Sequence, residues 1–448
     1  MPRRPTSDGQ VPLSLPVTDS AGAPATPPGP RGRRGARLRI ANRGQLAWGP
    51  IDLDSMLPQD HPARAIWAVL DRLNLSSLYE PIEARGEVAG APAIDPKILL
   101  ALWVFATSEG EGSAREVWRL TEMHTAYRWL CGGVAIGYHT LSDFRSERGE
   151  VFCSLVTQVL ALLMSQQLID LARVAQDGSR IRASAGASSF RRGATLEDLL
   201  RQAREHLDQV TREGNDAAWT ATRAAARLRG ARERLERLEA ALEQLPQVAA
   251  VKKKSGAKDK EPRVSTTDPE ARVMKMGDGG YRPAFNVQFA TTTDAARVIV
   301  GMAVTNRGSD AQLSTPMLDQ IKERTGVVPK ELLVDGGYAQ HEAIEHASEQ
   351  DVTVYAPVPK PRTETSPDPH TPRPEDSEAV GAWRERMGTD EAKALYKQRA
   401  ATAETVNADA KRHRGLAFFA VRGSEKVGAS VALFVLTYDI LRLLTLGG

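Results

Sequence analysis

Cysteine is nearly missing from this chain. Its 448 residues include only Cys131 and Cys153. Two thiols in so long a chain build neither a disulfide framework nor a cysteine zinc site, and they fit a reducing cytosol. An excess of one charge is missing too. Lys and Arg number 59 and Asp and Glu 56, a net charge of +3. Global charge therefore announces no nucleic-acid partner, and any such surface must come from local segregation. Long apolar runs are absent. The longest, residues 151–164 and 427–438, are too short to span a bilayer and read as buried core, so no membrane is expected. No early apolar block resembles a signal peptide. What is present, 41% hydrophobic and 26% charged residues, is ordinary for a soluble globular protein with ample core.

Residues 1–45 form a low-complexity stretch with basic clusters at Arg3-Arg4 and between Arg31 and Arg39, expected to be a disordered tail. Residues 46–170 read as a helical domain. Asp95 and Pro96 open one helix as cap and first-turn residue. Ser113-Ala114-Arg115-Glu116 is a capping box. A short helix around Tyr127 ends at Gly132-Gly133, and Thr140-Leu141-Ser142-Asp143 resembles another capped start, leading into a helix with Phe144, Arg145 and Arg148. Exposed arginines after a glycine turn fit a helix-turn-helix-like DNA-binding unit; any small helical domain fits as well. Residues 190–262 read as a helical insertion, with Leu228, Leu235, Leu238, Leu242 and Leu245 at heptad-like spacing, a break at Gly214-Asn215, a stop at Pro246, and a basic loop from Lys252 to Lys260. Its packing partner (a second copy, its own domain, or DNA) stays open.

Two segments share one shape. Val174-Ala175-Gln176-Asp177-Gly178 and Leu332-Leu333-Val334-Asp335-Gly336-Gly337 are mainly apolar runs closed by Asp-Gly. Each reads as a buried strand that ends at its aspartate and delivers a carboxylate to an open loop. From Arg282 the pattern continues with strands over 284–290 and 298–304, a helix over 309–323, a helix over 340–349, a strand over 352–358, a Pro- and acid-rich loop over 359–380, and a long helix from the cap Thr389 to about His413. In order from Val174 this predicts an α/β chain: a ribonuclease-H-like mixed sheet over 171–448 with the insertion after its first strand. The long helix supplies a third acid, Glu404, with Lys411 two turns further along on nearly the same face. Three converging carboxylates repel unless cations neutralise them, and hard oxygen ligands suit Mg²⁺ or Mn²⁺. Two such ions about 3.5–4 Å apart activate a nucleophile and stabilise a leaving oxygen in phosphodiester chemistry.

These residues resemble a known family, the bacterial insertion-sequence transposases of the DDE class, in the branch carrying the YREK signature. Tyr396, Arg399, Glu404 and Lys411 stand in that signature. Asp177-Gly178-Ser179-Arg180-Ile181-Arg182 and Asp335-Gly336-Gly337-Tyr338 look like the segments around its first two catalytic aspartates. Asp268-Pro269-Glu270-Ala271-Arg272, the stretch from Gly280 to Gln288, and the helices between Ile94 and Arg145 are also similar. The resemblance implies that Asp177, Asp335 and Glu404 hold two Mg²⁺ or Mn²⁺ ions. It implies that Tyr396, Arg399 and Lys411 contact DNA near the cleaved phosphate, with Arg180, Arg182, Asn286 and Gln288 as weaker DNA-positioning candidates. It further implies double-stranded DNA as partner (terminal inverted repeats and target), a homodimer, and a cytoplasmic, nucleoid-associated enzyme that cuts at the repeats and transfers a strand. The alternatives are a nuclease that cuts without joining and a catalytically inactive, transposase-derived DNA-binding protein.

Overall fold

The structure, a computed structural model, describes residues 52–83, 92–213, 221–254, 261–360 and 367–447. The expected tail over 1–45, the break at Gly214-Asn215, Lys258 and Lys260, and part of the 359–380 loop lie outside the described residues.

The described chain begins with helices α1 (Pro62–Leu70), α2 (Ser76–Tyr79), α3 (Pro96–Ser108), α4 (Ala114–Met123), α5 (Thr125–Cys131), α6 (Tyr138–Glu147) and α7 (Gly149–Ser165). Their ends follow local chemistry. The Asp95 carboxylate accepts the Lys97 N–H, and the Ser113 hydroxyl accepts the Glu116 N–H. Gly132 closes α5 in the left-handed region at φ 56°. Helix α6, however, starts at Tyr138 behind Gly137 rather than at a Thr140 cap. The Tyr138 ring lies 6.2 Å from that of Trp118, so tertiary packing adds the turn. Arg145 is not exposed to DNA either. It is 8% exposed, its guanidinium lies 4.4 Å from the Trp103 ring centroid and bonds the Gly112 carbonyl, and burial pushes its pKa down to about 10. Its aliphatic stem and planar head serve the core here.

The rest follows in order: β1 (Arg173–Arg182), β2 (Phe190–Arg191), α8 (Gly193–Glu213), α9 (Ala221–Lys254), β3 (Val264–Ser265), β4 (Arg272–Lys275), β5 (Tyr281–Thr292), β6 (Ile299–Thr305), α10 (Ser314–Thr325), β7 (Glu331–Leu333), α11 (His341–Glu349), β8 (Thr353–Tyr355), α12 (Glu378–Gly388), α13 (Asp390–Tyr396), a π turn (Ala400–Glu404), α14 (Thr405–Arg412) and α15 (Ser424–Leu446). Strand β5 pairs antiparallel with β1 on one edge, and with β4 and β6 on the other. Strands β1, β7 and β8 run parallel. This is the mixed α/β sheet of a ribonuclease-H-like fold.

Helices α8 and α9 pack on each other at the root set by the β2–β3 pair. The leucine stripe meets its own neighbour: Leu235, Leu238, Leu242 and Leu245 cluster with Leu196 and Ala203 of α8. Pro246 does not stop α9, which runs on through Lys252 to Lys254. A mid-helix proline costs roughly 3 kcal/mol, and packing of Leu245 and Val248 on either side holds the helix through it. The long helix expected from Thr389 is broken instead into α13, the π turn and α14. Thr402 and Thr405 hydrogen-bond the carbonyls of Gln398 and Ala401 four residues back, a habit that bends helices.

Helix α15 is long and apolar enough to cross a membrane, but 72% of its most apolar window is buried in this fold. It packs on α3, α6, α7 and β6. Phe434 meets Phe289 at 5.4 Å between ring centroids. Asp439, fully buried, accepts the Ile299 N–H at 3.0 Å, and burial pushes its carboxyl far up. Asp268 and Glu270 meet the N-terminus of the same helix: Glu270 accepts the Ser424 N–H and hydroxyl. The expected boundary at 170/171 is thus no break in packing, because one core takes in α3, α7, β5 and α15. Phe434→Ala should cost about 3–5 kcal/mol of stability. Because the helices and the sheet share this core, chemical denaturation followed by far-UV and by tryptophan signals should show one coincident, shifted transition.

Candidate active site

The parallel pairing of β1 and β7 brings the two aspartates together. Ala175 lies opposite Leu333, so two residues further along each chain Asp177 comes level with Asp335. Side chains alternate in a strand, which puts Asp177 on the face carrying Ala175. That face is covered by the π turn, because Ala403 packs onto Ala175 and Leu333. An alanine there lets the helical segment approach the sheet closely.

Residues at steps of four along a helical segment share a face. Here Arg399, Ala403, Asn407 and Lys411 form that row. The Arg399 Nη2 donates to Asp177 Oδ1 at 2.7 Å and lies 3.9 Å from Asp335 Oδ2. The Asn407 Nδ2 donates to Asp177 Oδ2 at 3.1 Å. Asp177 therefore has both oxygens engaged, whereas Asp335 is the more open acid, its side chain 41% exposed. Burial raises the Asp177 pKa; Arg399 and the Gly178 N–H oppose the rise, and the nearby Asp335 and Asp310 add to it. Burial works against charge on Arg399, yet Asp177, Tyr396 and Asp335 outweigh it and the net shift is upward. Burial lowers the Lys411 pKa, with Asp177 opposing. Burial also raises the Tyr396 hydroxyl, against the pull of Arg399.

Two expectations need correction. Asp177 does not end its strand: β1 continues to Arg182, paired with β5 throughout. What ends at this level is the parallel partner β7. Gly178 is likewise no stop signal. A Cβ there would overlap Gln288 Nε2 and lie 2.5 Å from Asp310 Oδ1, so only glycine fits against the polar layer beneath it.

That layer holds three of the residues expected to position DNA. Gln288 lies opposite Gly178 and Asn286 opposite Arg180, on the face away from Asp177. Both amides are fully buried. Asp310 accepts from Asn286 Nδ2 at 2.7 Å, Gln288 Nε2 at 2.8 Å and Arg180 Nη2 at 2.7 Å. Tyr338 donates its hydroxyl to Gln288 Oε1. Asn286, Gln288 and Arg180 are spent on this network rather than presented to a ligand. Arg182 is exposed, with its guanidinium 5.8 Å from the Phe418 ring centroid. Asp310 was missed from sequence; nothing local in Gly308-Ser309-Asp310 distinguishes it from an ordinary loop acid.

Glu404 ends the π turn and is exposed, on the segment whose other face meets Asp177. Among the described residues, no three His, Cys, Asp or Glu side chains converge closely enough to hold a metal ion, so Glu404 is not gathered with the two aspartates. The pair itself suits a hard cation. Two carboxylates share one guanidinium nitrogen, and the buried Oδ1 of Asn407 beside them has no hydrogen-bond partner.

Comparison with family models matches residues 51–147 to a Transposase domain (DUF772) and residues 362–444 to a Transposase DDE domain. The second match takes in Arg399, Glu404, Asn407 and Lys411 and leaves out Asp177 and Asp335. Comparisons with curated proteins and with solved structures gave no match.

Gly178→Ala should destabilise the fold by about 1–3 kcal/mol in denaturant unfolding, because the added methyl must displace Gln288 or Asp310. Arg399→Ala should raise the Asp177 pKa further. A raised carboxyl pKa means the folded state holds an extra proton between the unfolded and folded pKa values, so stability falls as pH rises through that window. The variant should extend this fall to higher pH, and stability measured across the acid range checks it.

Proposed function

Because the chain belongs to the DDE transposases of insertion sequences, we propose that it cleaves DNA at the terminal inverted repeats of such an element and transfers the freed strand into target DNA. Transposases bind DNA, and this family generally works with divalent metal ions. The observation that carries the reading is the pairing of Asp177 with Asp335 through the single Nη2 of Arg399. Two acids brought level by strand register and balanced by one cation form a site prepared for positive charge.

In this reading Asp177 and Asp335 hold Mg²⁺ or Mn²⁺, with Glu404 as the third carboxylate from the neighbouring turn. Bound there, two ions would supply an activated hydroxyl and a stabilised leaving oxygen for phosphodiester exchange. The protein's own groups do the rest. Arg399 balances the acid pair until the cation takes that place, and its planar fork is then free to take phosphate oxygens two at a time. Lys411, on the same helical row, adds a point charge for the backbone. Tyr396, packed beside Arg399, fixes that side chain's approach. Arg182, exposed at the end of β1 on the face away from Asp177, offers DNA a contact outside the track of Arg399 and Lys411. Two copies acting on paired ends and membership of the YREK branch complete the reading.

Asp335→Ala tests the chemistry. This acid is partly exposed, so its loss should spare the fold. Cleavage of a repeat-end substrate and strand transfer to a plasmid should fall to background while DNA binding persists. Undiminished cleavage overturns the enzymatic reading, and a biological effect that survives the substitution favours a DNA-binding role alone. Affinity for a repeat-end duplex should drop roughly 10³-fold or more between about 50 and 200 mM salt if six or more phosphates are neutralised. A flat salt response would remove DNA as the partner.

A further inference from the structure

A divalent cation of this class takes six or more oxygens, of which water supplies some. Asp177 and Asp335 provide carboxylates, and among the described residues no third acid converges with them. One other oxygen is already beside them. Asn407 is 9% exposed and its Nδ2 donates to Asp177 Oδ2 at 3.1 Å. The Oδ1 of the same amide is buried and has no hydrogen-bond partner. Leaving such an acceptor unpaired in the interior is unfavourable, and native folds seldom tolerate it without a use. The side chain is not there by accident of a loose helix. Val406 and Ala410 on α14 are fully buried and fix which face of the helix meets the sheet.

We propose that Asn407 is a further metal ligand of the site, giving its amide oxygen to the cation held by Asp177 and Asp335. This rests on the reading of those two aspartates as a metal-holding pair. It is Nδ2 that now faces Asp177; a half-turn of the amide about its last bond brings Oδ1 to that place without backbone movement, and no hydrogen bond to Oδ1 has to be broken for it. The chemistry favours a neutral donor at this position. Asp335 and Asp310 already press on the charge of Asp177, and a third carboxylate in contact would add repulsion in the metal-free protein. An amide adds an oxygen without adding charge. In the metal-free protein the same amide donates to Asp177 and, with Arg399, engages both oxygens of that partly buried carboxylate. Glu404, one turn earlier and exposed, is left free to act from the solvent side.

The test is Mn²⁺ binding to the full chain without DNA, read by calorimetry and by the loss of the free Mn²⁺ electron-spin-resonance signal, so that turnover plays no part. Asp177→Ala should abolish binding. Asn407→Ala should weaken it by about tenfold or more, on the scale set by lost metal-site partners. Asn407→Asp should bind Mn²⁺ at least as tightly as the wild type, and Mn²⁺ should raise its melting temperature by more than it raises that of the wild type, since the cation relieves added repulsion. Should Asn407→Ala fail to fold, the Asp variant decides alone: an equal or smaller Mn²⁺-dependent rise overturns the assignment. Wild-type affinity in Asn407→Ala alongside lost affinity in Asp177→Ala removes Asn407 and leaves the aspartate pair standing. Wild-type affinity in Asp177→Ala removes both.

Discussion

One nitrogen, Nη2 of Arg399, stands between two carboxylates that the sheet forces side by side. Without a cation there, Asp177 would be a partly buried charge facing a second acid 158 positions away in sequence, with nothing to balance either. The arrangement follows from register. Ala175 opposite Leu333 sets Asp177 level with Asp335, and the alanine at 403 sets the helical segment close enough for Arg399 to reach both. Strand pairing, helix approach and charge balance are therefore one constraint, and altering any of them disturbs the other two.

The reverse face of β1 answers a different requirement. A strand that must hold a charged side chain in a fixed place needs a rigid backbone. Gly178 allows Gln288 and Asp310 to close directly beneath it, and Asp310 ties Asn286, Gln288 and Arg180 into one network. Polar groups this deeply buried are stable only when nearly every donor and acceptor is met. Their place in the resembling sequence segments thus has a structural reason: they hold the strand that holds Asp177. Asp268 and Glu270 have a comparable role at the other end of the sheet, where they meet the first turn of α15.

Elements whose signals are local were legible in sequence: the caps at Asp95, Ser113 and Thr389, the glycine end at Gly132, and most of the strands and helices after Val174, though not β4 or α12. The aspartate pair was legible because each acid closes an apolar run. What sequence did not reveal depends on distant packing. Pro246 reads as a stop until Leu196 and Ala203 are seen supporting α9. Arg145 reads as exposed until Trp103 is placed beneath it. Residues 284–290 read correctly as a strand, but nothing local says that Asn286 and Gln288 point away from the acids. Only the pairing of Gly178 with Gln288 decides that. Asn407 carries no signal in the sequence, because amides on a polar helix are common and its unpaired oxygen exists only in three dimensions.

The break between α13 and α14 explains why Asn407, rather than Glu404, meets Asp177. In a helix each residue turns the face by about 100°. Ala403 packs on the sheet, so its neighbour Glu404 is carried to the edge, whereas Asn407, four residues on from Ala403, returns to the row. The π turn fixes this phase relative to Arg399, and the two threonine hydroxyls bonded to carbonyls four residues back sustain the bend. Rotating α14 to aim Glu404 inward would withdraw Val406 and Ala410 from the core; exposing a side chain the size of valine costs about 1.5 kcal/mol or more. That cost is sufficient to set the phase of the helix. In that phase the segment offers an amide to Asp177 and leaves the carboxylate of Glu404 exposed.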